Sequence, residues 1–392
     1  MSVQEKKQKT GTRKLLALDG GGIRGVMTLE VLDRIQSELQ RKLGRGDDFV
    51  LADYFDYVAG TSTGAIIATC LSLGMRVSDI RDFYIESGPA MFDKTNLLRR
   101  YFLNKFHSSK LTQKLKDVIA SKTGEPEATL GTDALKTYLM LVLRNATTDS
   151  PWPISNNPEP KYKDSSLTDC NLKLPLWQLV RASTAAPTYF PPEVISFQEN
   201  GDESLDFIFV DGGVTMYNNP AFQIFLMATV KAYKLGWPTG EDKMLLVSIG
   251  TGVAADANKN LSPEEMNIVY NASSLPSAFM FAASNEQDFL CRVFGRCLNG
   301  GVMDMEVSDL IDRELDGKMG DIGAGPVSPK LFTYMRYNAD LTRAGLDALG
   351  LPDIEPRTVQ QLDSVAFIPQ LQEVGRAVAK QVNIEHFDKF LD

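Results

Sequence analysis

Residues Phe55 to Cys70, FDYVAGTSTGAIIATC, constrain this chain more than any other stretch. Phe55 to Ala59 is a short apolar run of strand type, and the small apolar residues from Ala65 onward read as a buried helix. Between them the chain must turn through Gly60-Thr61-Ser62-Thr63-Gly64. A strand that passes through Gly-x-Ser-x-Gly directly into a helix has the geometry of a nucleophile elbow. The turn is so tight that a Cβ at Gly60 or Gly64 would meet the neighbouring strand or helix. Ser62 is thereby pushed out at the carboxyl end of the strand, with its hydroxyl at a helix N-terminus where partial positive charge gathers. The pentapeptide alone arises by chance in roughly one chain in ten of this length, and its plain alternative is a helix-capping serine. A base and an oxyanion site elsewhere in the chain must separate the two readings.

A second glycine turn supplies a candidate for the oxyanion site. The apolar run Leu15–Leu18 reads as a buried parallel strand. It leads into Asp19-Gly20-Gly21-Gly22-Ile23-Arg24-Gly25 and then an amphipathic helix from about Val26 to Leu43, with Leu29, Leu32, Ile35 and Leu39 on one face. Gly20, Gly22 and Gly25 fit the Gly-x-Gly-x-x-Gly fingerprint of dinucleotide sites, with Glu38 or Asp47 as its acidic partner. The same glycines also expose bare backbone N–H groups at a helix N-terminus, where a tetrahedral oxyanion is held. Asp19 favours the second reading, because its carboxylate would repel a pyrophosphate. Gly20, Gly21 and Gly22 are then the oxyanion loop, with Arg24 adding positive charge or anchoring it.

The 392 residues allow one large α/β domain or two ordinary ones. A net charge of −9 disfavours a nucleic acid polymer as partner. Cys70, Cys170, Cys291 and Cys297 have no metal-ligand spacing and read as free thiols in a reducing compartment, and no signal peptide is visible at the N-terminus. Residues 1–13 are polar and basic and read as a disordered lead-in. No run reaches the ~20 apolar residues of a spanning helix.

From residue 14 to 254 strands and helices alternate, with glycine turns at strand carboxyl ends. This predicts an α/β core whose mostly parallel central sheet is covered by helices on both faces. Further strands are expected at Tyr138–Arg144, Phe207–Val210 and Met244–Ile249. Helices are expected at Ser78–Met91, Leu111–Ala120, Leu176–Ser183 and Ala221–Leu235. Residues 97–110 mix basic and aromatic side chains, as a surface segment or a membrane-facing lid. Pro151–Asp164 reads as a loop. Residues 255–392 read as a mainly helical extension of the same domain, with one strand near Leu331–Arg336. No internal repeat is visible.

The chain has two histidines, His107 and His386, and neither sits at a strand end or in a glycine turn. A Ser–His–Asp triad therefore has no good candidate. Asp211 ends the strand Phe207–Val210 and is followed by Gly212 and Gly213, which let another backbone approach closely. Its plain reading is a turn-forming aspartate. An isolated Asp, with a pKa near ~3.9, is a poor base, but desolvation would raise it enough to make a direct Ser62–Asp211 dyad feasible. Without an imidazole to protonate an amine, such a dyad should favour esters over amides.

These motifs, in this order and strand context, resemble the patatin-like phospholipase family in its bacterial form. Ala186–Pro192 (APTYFPP) and Asn218-Asn219-Pro220 are similar to it as well, and the likeness covers about residues 14–252. The resemblance implies hydrolysis of fatty acyl esters of glycerophospholipids, without metal or cofactor, by Ser62 as nucleophile and Asp211 as base. It implies the Gly20–Gly22 turn with Arg24 as oxyanion loop. A phospholipid or other acyl-lipid substrate, peripheral membrane contact and a cytoplasmic location go with it. Some bacterial relatives are effectors switched on by a cyclic nucleotide, so a small-molecule activator is an option carried by the resemblance alone. The alternatives are a non-catalytic storage or ligand-sensing protein of the same fold, and a dinucleotide-binding oxidoreductase.

Overall fold

The computed structural model describes residues 3–92, 111–163, 170–187, 190–198, 204–254, 268–304, 306–311, 314–315, 318–319 and 327–392. Its frame is one sheet. β1 (Arg13–Leu18) is flanked by β2 (Tyr57–Thr61) and β7 (Met244–Ile249), both parallel to it. β2 pairs in parallel with β3 (Tyr138–Asn145), and β7 with β11 (Thr333–Tyr337), which in turn pairs in parallel with β8 (Arg296–Asn299). Three antiparallel strands complete the sheet: β4 (Ser150–Ser155), β5 (Glu193–Gln198) and β6 (Ser204–Asp211). A separate hairpin joins β9 (Glu314–Leu315) and β10 (Lys318–Met319). The expected mostly parallel sheet is present.

Every residue of β1 is buried, and its side chains alternate between two cores. Leu16 and Leu18 face one, Leu15 and Ala17 the other, as the two-residue period of a strand requires. The first core is covered by α2 (Gly25–Lys42), α4 (Thr63–Ser72), α5 (Val77–Phe92), α6 (residues 111–123), α10 (Arg343–Ala348), α11 (Pro356–Gln360) and α12 (Ile368–Ala379), the second by α8 (Ala221–Thr229) and α9 (Ile268–Phe294). Around the central strands both faces of the sheet are covered, which is why those strands read as unbroken apolar runs. Among the described residues no helix is long and apolar enough to cross a membrane.

Three expectations need correction, and one strand was not expected. Residues 1–13 contain a helix, α1 (Val3–Gln8), rather than disorder alone. Its Lys6 is fully buried and donates to the carbonyl oxygens of Ala52, at 2.7 Å, and Phe55. Those carbonyls lie at the end of α3 (Leu51–Tyr54), where the helix dipole favours a cation. Pro151–Asp164 is not all loop: its start is β4, which tolerates Pro151 and Pro153 because it pairs only with β3 and needs no second ladder. β5 has no counterpart in the sequence reading. Residues 255–392 are more than a helical extension, since β8 and β11 extend the main sheet beyond β7. α12 also packs so closely on α2 that a Cβ at Gly375 would lie 2.8 Å from Met27 Cα. The proposed surface or lid segment, 97–110, lies outside the described residues.

One buried ion pair ties this C-terminal part to the first glycine turn. Arg336 of β11 grips both carboxylate oxygens of Asp19, at 2.8 and 2.5 Å, and also donates to Ser248 Oγ at 2.7 Å. Burial alone would lower the Arg336 pKa, but the charge and hydrogen bonds of Asp19 outweigh it and raise it. Among the described residues Asp19 has no other cation this close, so removing the guanidinium strands a buried carboxylate. Arg336→Met is expected to lower the unfolding free energy by about 3–5 kcal/mol in urea titrations. Adding Asp19→Asn to that variant should recover part of the loss, because the uncompensated charge is gone.

Candidate active site

β3 brings the site together by acting as a ruler. β4 occupies one of its edges from Met140 to Asn145. The other edge is shared by two strands that run towards each other: β2 pairs with Tyr138–Val142 and β6 with Leu143–Asn145. β2 ends at Thr61, opposite Val142, and β6 ends at Asp211, opposite Leu143. The carboxyl ends of two strands far apart in the chain thus meet at neighbouring positions of β3. Ser62 and Asp211 are the residues at that meeting point.

Ser62 sits at φ 54° and ψ −121°, a conformation that a non-glycine residue adopts only under constraint. The glycines make it accessible. A Cβ at Gly60 would collide with the Gly64 carbonyl, one at Gly64 with the Leu18 carbonyl, and one at Gly212 with the Val142 carbonyl. The strained turn is pinned on each side. The Ser62 N–H donates to Ser183 Oγ at 2.9 Å, and Ser183 Oγ donates to the Val142 carbonyl at 2.7 Å. Thr61 Oγ1 donates to the Tyr217 carbonyl at 2.7 Å, and the Thr63 and Tyr84 hydroxyls lie 2.6 Å apart. Ser183, which closes α7 (Leu176–Ser183), carries no local signal that sequence reasoning could have used.

Ser62 Oγ donates to Asp211 Oδ2 at 2.6 Å. Asp211 Oδ1 accepts the Gly213 N–H at 2.6 Å, so both carboxylate oxygens are held. The side chain is 5% exposed. Burial pushes its pKa up to about 6, against the opposing pull of the Ser62 hydroxyl, the Gly213 amide and the more distant Arg181. At neutral pH the carboxyl is ionised, yet closer to a proton than an ordinary aspartate. The arrangement can take a proton from Ser62 and return it to a leaving group.

The glycine turn lies against this pair. A Cβ at Gly20 would sit 3.2 Å from Ser62 Cβ. The Gly20 N–H, expected to face an oxyanion, instead donates to the Asn218 carbonyl at 3.1 Å. Among the described residues the Gly21 and Gly22 amides, at the start of the 3-10 turn Gly22–Arg24, donate to nothing. Arg24 is anchored through Nη1 to the Gln360 carbonyl at 3.2 Å, and burial lowers its pKa only to about 10, so it stays charged at neutral pH. The Ile23 N–H donates to the Leu362 carbonyl at 2.9 Å. Glu38, the acid of the dinucleotide alternative, is instead paired with Arg34 and Arg41 on α2.

Two hollows border the site. One, of about 710 Å³, is mostly apolar and runs from Gly213 past Val214, Met216, Met280 and Ala283. The other, of about 210 Å³, is more polar and is lined by Gly20, Arg24, Asn218, Thr251 and Ser284. His386 lies in the 3-10 turn Ile384–Phe390. The adjoining C-terminal Asp392 pairs with Lys14 near the start of β1, roughly 13 Å from the carboxyl end of that strand. His107 lies outside the described residues.

The raised carboxyl has a consequence for stability. A group whose pKa is higher in the folded than in the unfolded chain holds its proton more tightly when folded. Its contribution is full below the unfolded pKa near 3.8 and is lost as pH rises through about 6. Asp211→Asn should therefore gain stability relative to wild type between these two pH values, by about 2–3 kcal/mol. Urea titrations of both proteins across that range check the direction.

The profile of the family described as "Patatin-like phospholipase" matches residues 16–225. The chain is 25% identical over 336 residues to Patatin-T5 of Solanum tuberosum, which covers 78% of this chain and 82% of that protein. It is 26% identical over 342 residues to Patatin-17 of Solanum cardiophyllum, with the same coverage. Among solved structures, that of VipD from Legionella pneumophila is a distant likeness, 15% identical with a TM-score of 0.36 over 93% of this chain and 67% of that one. The matched profile spans more than half of the chain, with the elbow and Asp211 both inside it, and so this chain belongs to the patatin-like phospholipase family.

Proposed function

We propose that the protein is a lipid acyl hydrolase of the phospholipase A type, which cleaves fatty acyl esters of glycerophospholipids through a Ser62–Asp211 dyad. The observation that carries this reading is the 2.6 Å bond from Ser62 Oγ to a buried Asp211 whose pKa is pushed up to about 6. Ser62 Oγ attacks the ester carbonyl while its proton passes to Asp211 Oδ2. The Gly21 and Gly22 amides receive the oxyanion. Collapse of the tetrahedral intermediate transfers the proton to the departing alcohol and leaves an acyl-enzyme, which water then releases by the same steps in reverse.

Membership of a phospholipase family supports a lipid ester as substrate. So does the apolar hollow beside Gly213, which has the character of a fatty acyl site. On its rim Phe279 is 68% and Met216 51% exposed, a pair suited to dipping into a lipid surface. The protein would then act from the aqueous side as a peripheral enzyme. Its four buried free thiols fit a reducing, cytoplasmic setting. No observation favours a small-molecule activator, a storage role or dinucleotide binding, and the reading includes none of them.

Product analysis by mass spectrometry on mixed glycerophospholipids is the direct test. Wild type should release free fatty acid and lysophospholipid. Ser62→Ala should lose at least about 10⁴-fold in rate and all labelling by a fluorophosphonate probe, and Asp211→Asn should lose hydrolysis too. Release of a phosphorylated head group instead of fatty acid would overturn the reading. The base must be ionised to act, so kcat/KM on a soluble ester should fall about tenfold per pH unit below about 6. Matched ester and amide substrates should show the ester cleaved faster.

A further inference from the structure

Asn218 is the least explained polar residue at the site. It is 5% exposed, and its main-chain carbonyl already accepts the Gly20 N–H. Its side-chain nitrogen lies 3.0 Å from Ser284 Oγ on α9. Its Oδ1 is buried without a hydrogen-bond partner. That oxygen is not in a neutral place. A Cβ at Gly20 would collide with it, and a Cβ at Gly213 would lie 3.0 Å both from it and from Asp211 Oδ1. The amide end therefore fills the space between the glycine turn and the dyad carboxylate, and it borders the polar hollow.

An orphaned acceptor in that space is costly, about 1–3 kcal/mol, and it shares the space against Gly213 with Asp211 Oδ1. Turning the amide over takes the acceptor out of that space and leaves a donor there. Ser284 Oγ can donate as readily as accept, so it satisfies Oδ1 in the turned orientation. Nδ2 then occupies the present Oδ1 position as a donor, on the carboxylate side and next to Gly20. Amide orientations are fixed only by such networks, and the Ser284 hydroxyl accommodates the turned form.

We propose that Asn218 is a side-chain oxyanion donor, held by Ser284 and aimed over the glycine turn at the oxygen that develops charge when Ser62 attacks. This deepens the hydrolase reading above and rests on it. It also replaces a missing part, because the Gly20 amide is committed to the Asn218 carbonyl. In the attack step the Oγ–C bond forms, the carbonyl π pair moves onto oxygen, and the Ser62 proton goes to Asp211. Asn218 Nδ2 donates one hydrogen bond to that oxygen and gives up no proton. Ser284 is a positioning residue: it lies beyond the span shared with the family profile and sets the direction of the amide.

The test uses the full chain with Asn218→Leu, which keeps shape without a donor, and Ser284→Ala, which releases the amide. Hydrolysis of a soluble acyl ester is measured with inhibition by a trifluoromethyl ketone of the same chain length, which forms a tetrahedral adduct on Ser62. For Asn218→Leu, kcat should fall about 10²–10³-fold, KM should change less than about threefold, and the ketone should weaken by the same factor as kcat. Ser284→Ala should show a smaller loss with the same split, and it decides alone if Asn218→Leu does not fold. Unchanged kcat, or a loss not matched in ketone affinity, overturns the proposal. Hydrolysis that survives Ser62→Ala would instead overturn the Ser62–Asp211 dyad on which the proposal rests.

Discussion

The hydrogen bond between Ser62 Oγ and Asp211 Oδ2 depends on two strands stopping at the right place. β2 and β6 approach each other along one edge of β3, and neither can be a residue longer without overrunning the other. Their close approach requires the glycines. Gly60 and Gly64 let the elbow turn between strand and helix, and Gly212 lets the chain leave β6 against the Val142 carbonyl. A side chain at any of these positions would push the serine and the aspartate apart. The strain at Ser62 is the cost of this junction, and the hydrogen bonds that the turn makes to Ser183 and Tyr217 and with Tyr84 over-determine it.

Burial gives the junction its chemistry. Asp211 is surrounded by protein, has among the described residues only the Ser62 hydroxyl and the Gly213 amide as close donors, and is raised to about 6. A solvated aspartate would be too weak a base, and a wholly unpaired one would remain protonated at neutral pH. Two hydrogen bonds and the field of Arg181 hold it between those limits. The second carboxylate at the site, Asp19, has a different part. Arg336 binds it in a bidentate pair, which makes it a structural anchor for the glycine turn.

That anchor comes from the far end of the chain, as do most supports of the turn. Arg336, Gln360 and Leu362 hold Asp19, Arg24 and Ile23, while Ser284 holds Asn218. The matched family span ends at residue 225, before any of these. The C-terminal third thus packs on the rest of the fold, with two strands in the sheet and α12 against α2.

Local pattern determined the elements and the motifs. α7 and β7 fall where periodicity placed them, because a buried strand and a one-sided helix each leave a repeat in hydrophobicity. Gly60, Ser62, Gly64 and Asp211 were legible because a tight turn at a strand end restricts residue type. Tertiary structure decided what pattern cannot encode. β4 and β5 were hidden, β4 because its prolines mimic a loop and only an edge position tolerates them. α1 was hidden because Lys6 is buried by carbonyls of a distant helix rather than by apolar periodicity. The commitment of the Gly20 amide, the Ser183 brace and the Asp19–Arg336 pair join residues far apart in sequence, and no local rule links them. The sequence named the chemistry at two strand ends; only the sheet register, which runs both strands along β3 until they meet, set the distance between them.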